Sequence, residues 1–146
     1  MPPLSPSLPE LYRHTVRVYW EDTDAGGVVF YANYLKFFER ARTEWLRSLG
    51  FGQQQLKDES GLMFVVSHTA VNYRSPARLD DELTLTVCVR EARQASMTLS
   101  QQAFRGDRLL AEGEIRIGCV AAGTFRPQRI PTAILDRLSL STDRPA

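Results

Sequence analysis

Asn33-Tyr34-Leu35-Lys36-Phe37-Phe38-Glu39-Arg40-Ala41-Arg42-Thr43-Glu44-Trp45-Leu46-Arg47-Ser48-Leu49 is the stretch on which the fold turns. Leu35, Phe38, Arg42, Trp45 and Leu49 recur at helical spacing, and Phe37, Ala41 and Leu46 widen the stripe. Lys36, Arg40, Thr43, Glu44 and Arg47 take the opposite side. The pattern predicts one helix of about four to five turns at 3.6 residues each. Gly50 follows as a ready left-handed C-cap. Within the helix Glu39 and Arg42 stand three residues apart, the spacing of a helix-surface ion pair.

Around this helix the period changes to two. Val16, Val18 and Trp20 alternate with Thr15, Arg17 and Tyr19, which predicts a half-buried strand over 14–20. Residues 62–73 are β-branched and aromatic until Arg74-Ser75-Pro76 breaks the run. Leu83, Leu85, Val87 and Val89 alternate with Thr84, Thr86, Cys88 and Arg90, and residues 95–104 alternate more weakly. Arg105-Gly106-Asp107 reads as a hairpin turn. Ile115, Ile117 and Cys119 then alternate with Glu114, Arg116 and Gly118. Pro131 stands near the start of a short helix carrying Ile134, Leu135 and Leu138. A strand, a long helix and four strands joined by short turns make an α+β fold, an antiparallel sheet packed on one helix. Few elements are left to cover the sheet edges, which predicts pairing between subunits.

The chain has 146 residues and a formal charge of +1, which fits one domain. That domain is expected over 12–138, between a proline-rich arm at 1–11 and a frayed tail at 139–146. The arm has neither the basic nor the apolar region of a secretory leader. The balanced charge argues against a duplex nucleic-acid partner. No apolar run approaches the roughly 18 residues of a membrane span. Cys88 and Cys119 form no metal spacing and no disulfide framework, so a reducing cytoplasm is the expected location. His14 and His68 have no second ligand at metal spacing.

The chemistry-bearing segment joins the first strand to the helix: Glu21-Asp22-Thr23-Asp24-Ala25-Gly26-Gly27-Val28-Val29-Phe30-Tyr31-Ala32. Two aspartates, two glycines and a helix N-terminus meet there. Unpaired N–H groups of a first helical turn can hold an anion or polarise a carbonyl becoming an oxyanion. A nearby carboxylate can attack that carbonyl or activate a water. The same aspartates are also ordinary turn and helix caps, so local chemistry alone leaves both readings open.

Asp24-Ala25-Gly26-Gly27-Val28-Val29-Phe30-Tyr31-Ala32-Asn33-Tyr34 resembles the signature of hot-dog-fold acyl-CoA thioesterases of the 4-hydroxybenzoyl-CoA thioesterase type. The longer run Tyr19 to Gly50, with Phe38-Glu39-Arg40-Ala41-Arg42-Thr43-Glu44, is similar to the Tol–Pal-associated branch. Phe64-Val65-Val66, the turn Pro76-Ala77-Arg78-Leu79-Asp80-Asp81 and Arg126 to Pro131 extend the likeness over about 12–138. The resemblance implies a hot-dog fold, about five antiparallel strands wrapped around the long helix. It also implies homodimers, often paired into tetramers, with the thioester at the dimer interface. The activity implied is hydrolysis of an acyl-CoA to the carboxylic acid and coenzyme A. Coenzyme A is there part of substrate and product, and no cofactor or metal is called for. By the same resemblance Asp24 is the catalytic carboxylate, as nucleophile or general base, and the Tyr31 backbone N–H polarises the carbonyl. Many members of the branch carry His where this chain has Tyr31.

Val66 and Ser67 follow the Phe64-Val65-Val66 match and are expected to line the thioester pocket. Of 18 basic residues 16 are arginine, and Arg93 best matches a phosphate-binding basic cluster of the relatives, with Arg126 and Arg129 as alternatives. Glu39 is a lesser helper, since a related group uses a helix glutamate. A non-catalytic acyl-CoA or acyl-carrier-protein binding module is the alternative on the same fold. The subfamily's name also suggests a contact with an envelope complex.

Overall fold

The computed structural model describes residues 11–142. Five strands form one antiparallel sheet: β1 (Tyr12–Arg17), β2 (Leu62–Tyr73), β3 (Glu82–Ala92), β4 (Ser96–Arg105) and β5 (Arg108–Ala121). Their order is β1-β3-β4-β5-β2, so β3, β4 and β5 form a meander with β1 and β2 at its edges. The expected α+β architecture is the observed one. Gly106, at φ 61°, and Asp107 make the two-residue turn between β4 and β5.

The helix α1 (Asn33–Ser48) lies against the inner face of the sheet. Phe37, Phe38, Ala41 and Leu46 meet Leu83, Leu85, Leu99 and Ile115 in one buried cluster. At its end Gly50 takes φ 97°; its N–H bonds to Arg47 O and the Phe51 N–H to Leu46 O, the Schellman pattern. Arg42 belongs to the buried stripe and does not pair with Glu39 on the surface as its spacing suggested. Its Nη1 donates to Oε1 of fully buried Gln101 at 2.9 Å, and Gln101 Nε2 donates to Phe38 O at 3.0 Å. Glu39 instead accepts from Thr43 Oγ1. A helix cation bonded into the sheet fixes α1 in rotation, because slipping would leave that cation buried without its partner.

The structure departs from the sequence expectations in one strand bound and one added helix. The first strand ends at Arg17, not residue 20; Val18 stays buried but Trp20 is 80% exposed. Trp20–Asp22 is a 3₁₀ turn, and Asp22 Oδ2 accepts the Tyr19 N–H at 2.8 Å. That cap overrides the period-two pattern. A helix unforeseen in the sequence, α2 (Gln53–Ser60), follows α1. It is almost wholly polar, so it lacks an apolar stripe. Gln54 Nε2 to Asp58 and Gln55 Nε2 to Glu59, each four apart, support it, and Gly61 ends it at φ 70°. The described chain closes on α3 (Thr132–Thr142), the short helix expected after Pro131. Residues 1–10 of the expected arm at 1–11, and residues 143–146 of the expected tail at 139–146, lie outside the described residues.

Candidate active site

The segment between β1 and α1 is a small hairpin pinned at three points. Asp22 is buried; its carbonyl accepts the Phe30 N–H at 3.0 Å and Asn33 Nδ2 at 2.8 Å, tying turn to helix. Thr23 bridges Val29, and Val28 bridges Arg78. The Val29 N–H donates to Ala77 O at 2.8 Å, fastening the hairpin to the turn after β2.

Asp24 stands on the exposed tip of this hairpin. Its N–H bonds to Val28 O, its carbonyl accepts the Gly27 N–H, and Gly27 turns the chain at φ 79°. Its Oδ1 accepts the Gly26 N–H at 2.8 Å, and its Oδ2 has no hydrogen bond among the described residues. The aspartate is thus a turn cap that keeps one carboxylate oxygen free for chemistry. A Cβ on Gly26 would stand 3.2 Å from Oδ1. Gly26→Ala is therefore expected to push the carboxylate aside by a few tenths of an ångström. Under the catalytic role that the sequence resemblance implies for Asp24, thiol release is expected to fall about three- to tenfold with the melting temperature unchanged.

Tyr31 begins the approach to α1. Neither its N–H nor that of Ala32 meets an acceptor among the described residues. Tyr31 and the N-cap residue Ala32 lie just before α1, whose own first amides, on Asn33, Tyr34 and Leu35, bond to the carbonyls of Phe30, Tyr31 and Ala32; the positive dipole end of the helix lies beside the two free amides. The Tyr31 side chain is 62% exposed and stands edge-on to Tyr73, with centroids 6.1 Å apart. Tyr31, Tyr34, Tyr73, Val29 and Pro76 line a cavity of about 290 Å³. Tyr34 and Tyr73, the aromatic wall of this site, were read in the sequence only as helix and strand residues. Burial raises the pKa of both phenols above their ordinary value, so both stay protonated donors.

The other expected site residues lie elsewhere. Val66 and Ser67 sit on edge strand β2, both exposed, and a bulge between Val66 and His68 makes Ser67 the extra residue. Ser67 Oγ donates to Arg116 O at 3.3 Å. Val66 is seven residues from Tyr73 along β2, about 20 Å at ~3.3 Å per residue. Arg93 lies in the β3–β4 turn and pairs with Glu91 at 3.0 Å. Through Ala92↔Met97, Met97↔Ile117 and Ile117↔Val66 that turn shares the Val66 end of the sheet. The Ile130 N–H donates to Gln94 O at 2.7 Å, which brings neighbouring Arg129 to the same end as Arg93. One chain therefore joins Tyr31 to Tyr73 at the start of α1, carries Asp24 on the tip of the hairpin that leads into that helix, and sets Val66, Ser67, Arg93 and Arg129 toward the other end of β2. Burial raises the pKa of Cys88 and Cys119, the reverse of what a thiolate nucleophile needs. Among the described residues no helix is long and apolar enough to cross a membrane.

Antiparallel strands packed on one long helix, with two unpaired amides just before that helix, define a hot-dog fold of the thioesterase kind. The chain belongs to the thioesterase-like superfamily, whose family profile matches residues 18–138. It is 45% identical over 119 residues to the acyl-CoA thioesterase YbgC of Haemophilus influenzae, covering 82% of this chain and 88% of that protein. It is 44% identical over 126 residues to the acyl-CoA thioester hydrolase YbgC of Escherichia coli O6:H1, covering 86% and 93%. Among solved structures, a probable thioesterase from Bartonella henselae superposes with a TM-score of 0.80 at 35% identity, covering 84% of this chain and 100% of that one.

Proposed function

We propose that this protein hydrolyses acyl-CoA thioesters to a carboxylic acid and coenzyme A, with Asp24 and the Tyr31 N–H as the working groups. The observation that carries the assignment is the free Tyr31 amide at the start of α1, in the same pinned hairpin as a carboxylate with one oxygen unengaged. The thioester carbonyl oxygen sits at the amide, whose donor and helix dipole stabilise the negative charge as the carbon becomes tetrahedral.

Two balanced routes use these groups. In one, an Asp24 oxygen adds to the carbonyl carbon, the C–S bond breaks, and coenzyme A leaves as thiolate. Water then cleaves the acyl–aspartyl anhydride. In the other, Asp24 takes a proton from water as its oxygen adds to that carbon, and the collapse expels the thiolate. Neither route calls for a cofactor. Coenzyme A enters with the substrate and leaves with the product.

The working unit is a homodimer, itself able to pair into a tetramer. β2 is an unpaired edge whose residues 66–70 are exposed. Antiparallel pairing of two such edges brings Val66 and Ser67 of one copy toward Tyr31 and Tyr73 of the other, which one chain holds apart. The arginines at the Val66 end, Arg93 and Arg129 among them, then meet the phosphates of coenzyme A. Cys88 and Cys119, both free thiols, suit a reducing cytoplasm.

A panel of acetyl-, butanoyl-, decanoyl- and benzoyl-CoA, followed by free-thiol release, tests the assignment. Release from at least one member, by a protein sedimenting at no less than twice 16.5 kDa, is expected. Tight binding without release from any member would make the chain a non-catalytic acyl-CoA binding module instead.

A further inference from the structure

We propose that Tyr73 is a positioning residue for the reaction, its hydroxyl holding the Tyr31 peptide so that the amides at the start of α1 stay aimed at the thioester oxygen. The proposal rests on the role of the Tyr31 N–H given above.

The stretch Phe30–Asn33 is anchored at its two ends by Asp22 O, which accepts from the Phe30 N–H and from Asn33 Nδ2. Between those anchors, the amides of Tyr31 and Ala32 are free. The Tyr31 carbonyl receives a long bond of 3.4 Å from the Tyr34 N–H, within the same turn. Its one tie to another part of the chain, among the described residues, is the Tyr73 hydroxyl, which donates to it at 3.0 Å. Tyr73 is the last residue of β2 and is paired to Ala111 in the sheet, so the donor is mounted on a rigid element.

The ring is equally well placed. It meets Tyr31 edge-on at 87°, and Tyr34 at 62° with centroids 5.5 Å apart. Such tilted contacts hold an aromatic ring in one orientation. The carbonyl that Tyr73 grips and the Ala32 N–H belong to one planar peptide unit. Fixing that plane therefore orients the Ala32 N–H directly. It also polarises it, since a hydrogen bond accepted at one end of a peptide strengthens donation at the other. Tyr73 thus fixes the donor next to the Tyr31 N–H, and with it the far side of the Tyr31 residue, acting through the peptide and not on the reacting atoms. Because it ends the strand that joins the two copies in the proposed dimer, it links the interface to the reacting centre.

Tyr73→Phe keeps the ring contacts and removes the one hydrogen bond. In the full-length protein, with butanoyl-CoA and benzoyl-CoA as probes, kcat is expected to fall about tenfold, as for one lost orienting bond. KM and melting temperature are expected to stay at the parent values. A loss confined to kcat marks a group whose effect is felt only in the transition state. Unchanged kcat in Tyr73→Phe beside an inactive Asp24→Asn would overturn this proposal and leave the assignment of the site intact. A selective kcat loss beside an active Asp24→Asn would support Tyr73 while removing Asp24 from the mechanism. A rise in KM alone, or kcat and melting temperature falling together, would overturn the positioning role.

Discussion

Asp24→Asn is expected to lower kcat by about 10²–10⁴-fold, the range for loss of a positioned acid–base or nucleophilic group. The amide is the same size as the carboxylate. Its oxygen can still accept the Gly26 N–H that Oδ1 holds at 2.8 Å, so the hairpin persists. The neutral group cannot attack the thioester or take a proton from water at neutral pH. Melting temperature and sedimentation should match the parent protein, which separates a chemical loss from a folding one. The matched control is Asp22→Asn. Asp22 is buried, with Oδ2 accepting from the Tyr19 N–H and its carbonyl tying the turn to α1. Its substitution weakens a charge-assisted bond, so it should cost stability of about 1 kcal/mol and only a modest part of turnover. The reverse ranking would show that the wrong aspartate of the pair carries the chemistry.

The second large effect lies in the backbone. Tyr31→Pro deletes the amide hydrogen itself and is expected to reduce kcat by about 10²–10³, as for loss of one oxyanion donor. That N–H meets no acceptor within the described chain, so its removal breaks no internal hydrogen bond. Tyr31→Leu supplies the comparison. It keeps the N–H and removes the ring that contacts Phe30 and Tyr73. A loss of less than about tenfold is expected there, because the ring is a wall of the cavity and not the donor. Equal losses in the two variants would place the effect in the side chain. Steady-state thiol release, with unfolding curves for each variant, makes the measurement.

The backbone role proposed for Tyr31 also bears on the residue type. Relatives of this branch are expected to carry His where this chain has Tyr31. A contact made through N–H is indifferent to that exchange, and both rings can form the exposed edge of a cavity. What the tyrosine adds here is an aromatic corner with Tyr73 and Tyr34. The corner joins the amide-bearing turn to the end of β2.

Helix α1 and strands β3 to β5 were legible because each buries one face, and burial on one face writes its period into the sequence; β2, with no buried residue, was legible from its β-branched and aromatic run instead. The elements that escaped have no such face. α2 is polar on nearly all sides, held by its own side chains and by glycine at each end. Trp20 looked like the next inward residue of a strand. The cap from Asp22 to the Tyr19 N–H turned it outward instead. The bulge at Ser67 shifts β2 by one residue against β5, and nothing in alternating residue types reveals such a shift. Arg42 stood in the apolar stripe, but its partner Gln101 lies 59 residues away in β4.

The sequence by itself determined the α+β order, the long buried helix and the loop in which a carboxylate precedes a helix start. It also carried the likeness to thioesterases, because that loop keeps its chemistry within a dozen adjacent residues. Only the tertiary structure decided which groups share a place. It joined Tyr73 to Tyr31 across 42 residues, freed one oxygen of Asp24, and set Val66, Ser67 and the arginines at the far end of the sheet. The physical reason is that periodicity records which face of an element is buried. Distance between elements depends on strand order, register and bulges, which are settled only when the whole sheet closes on the helix.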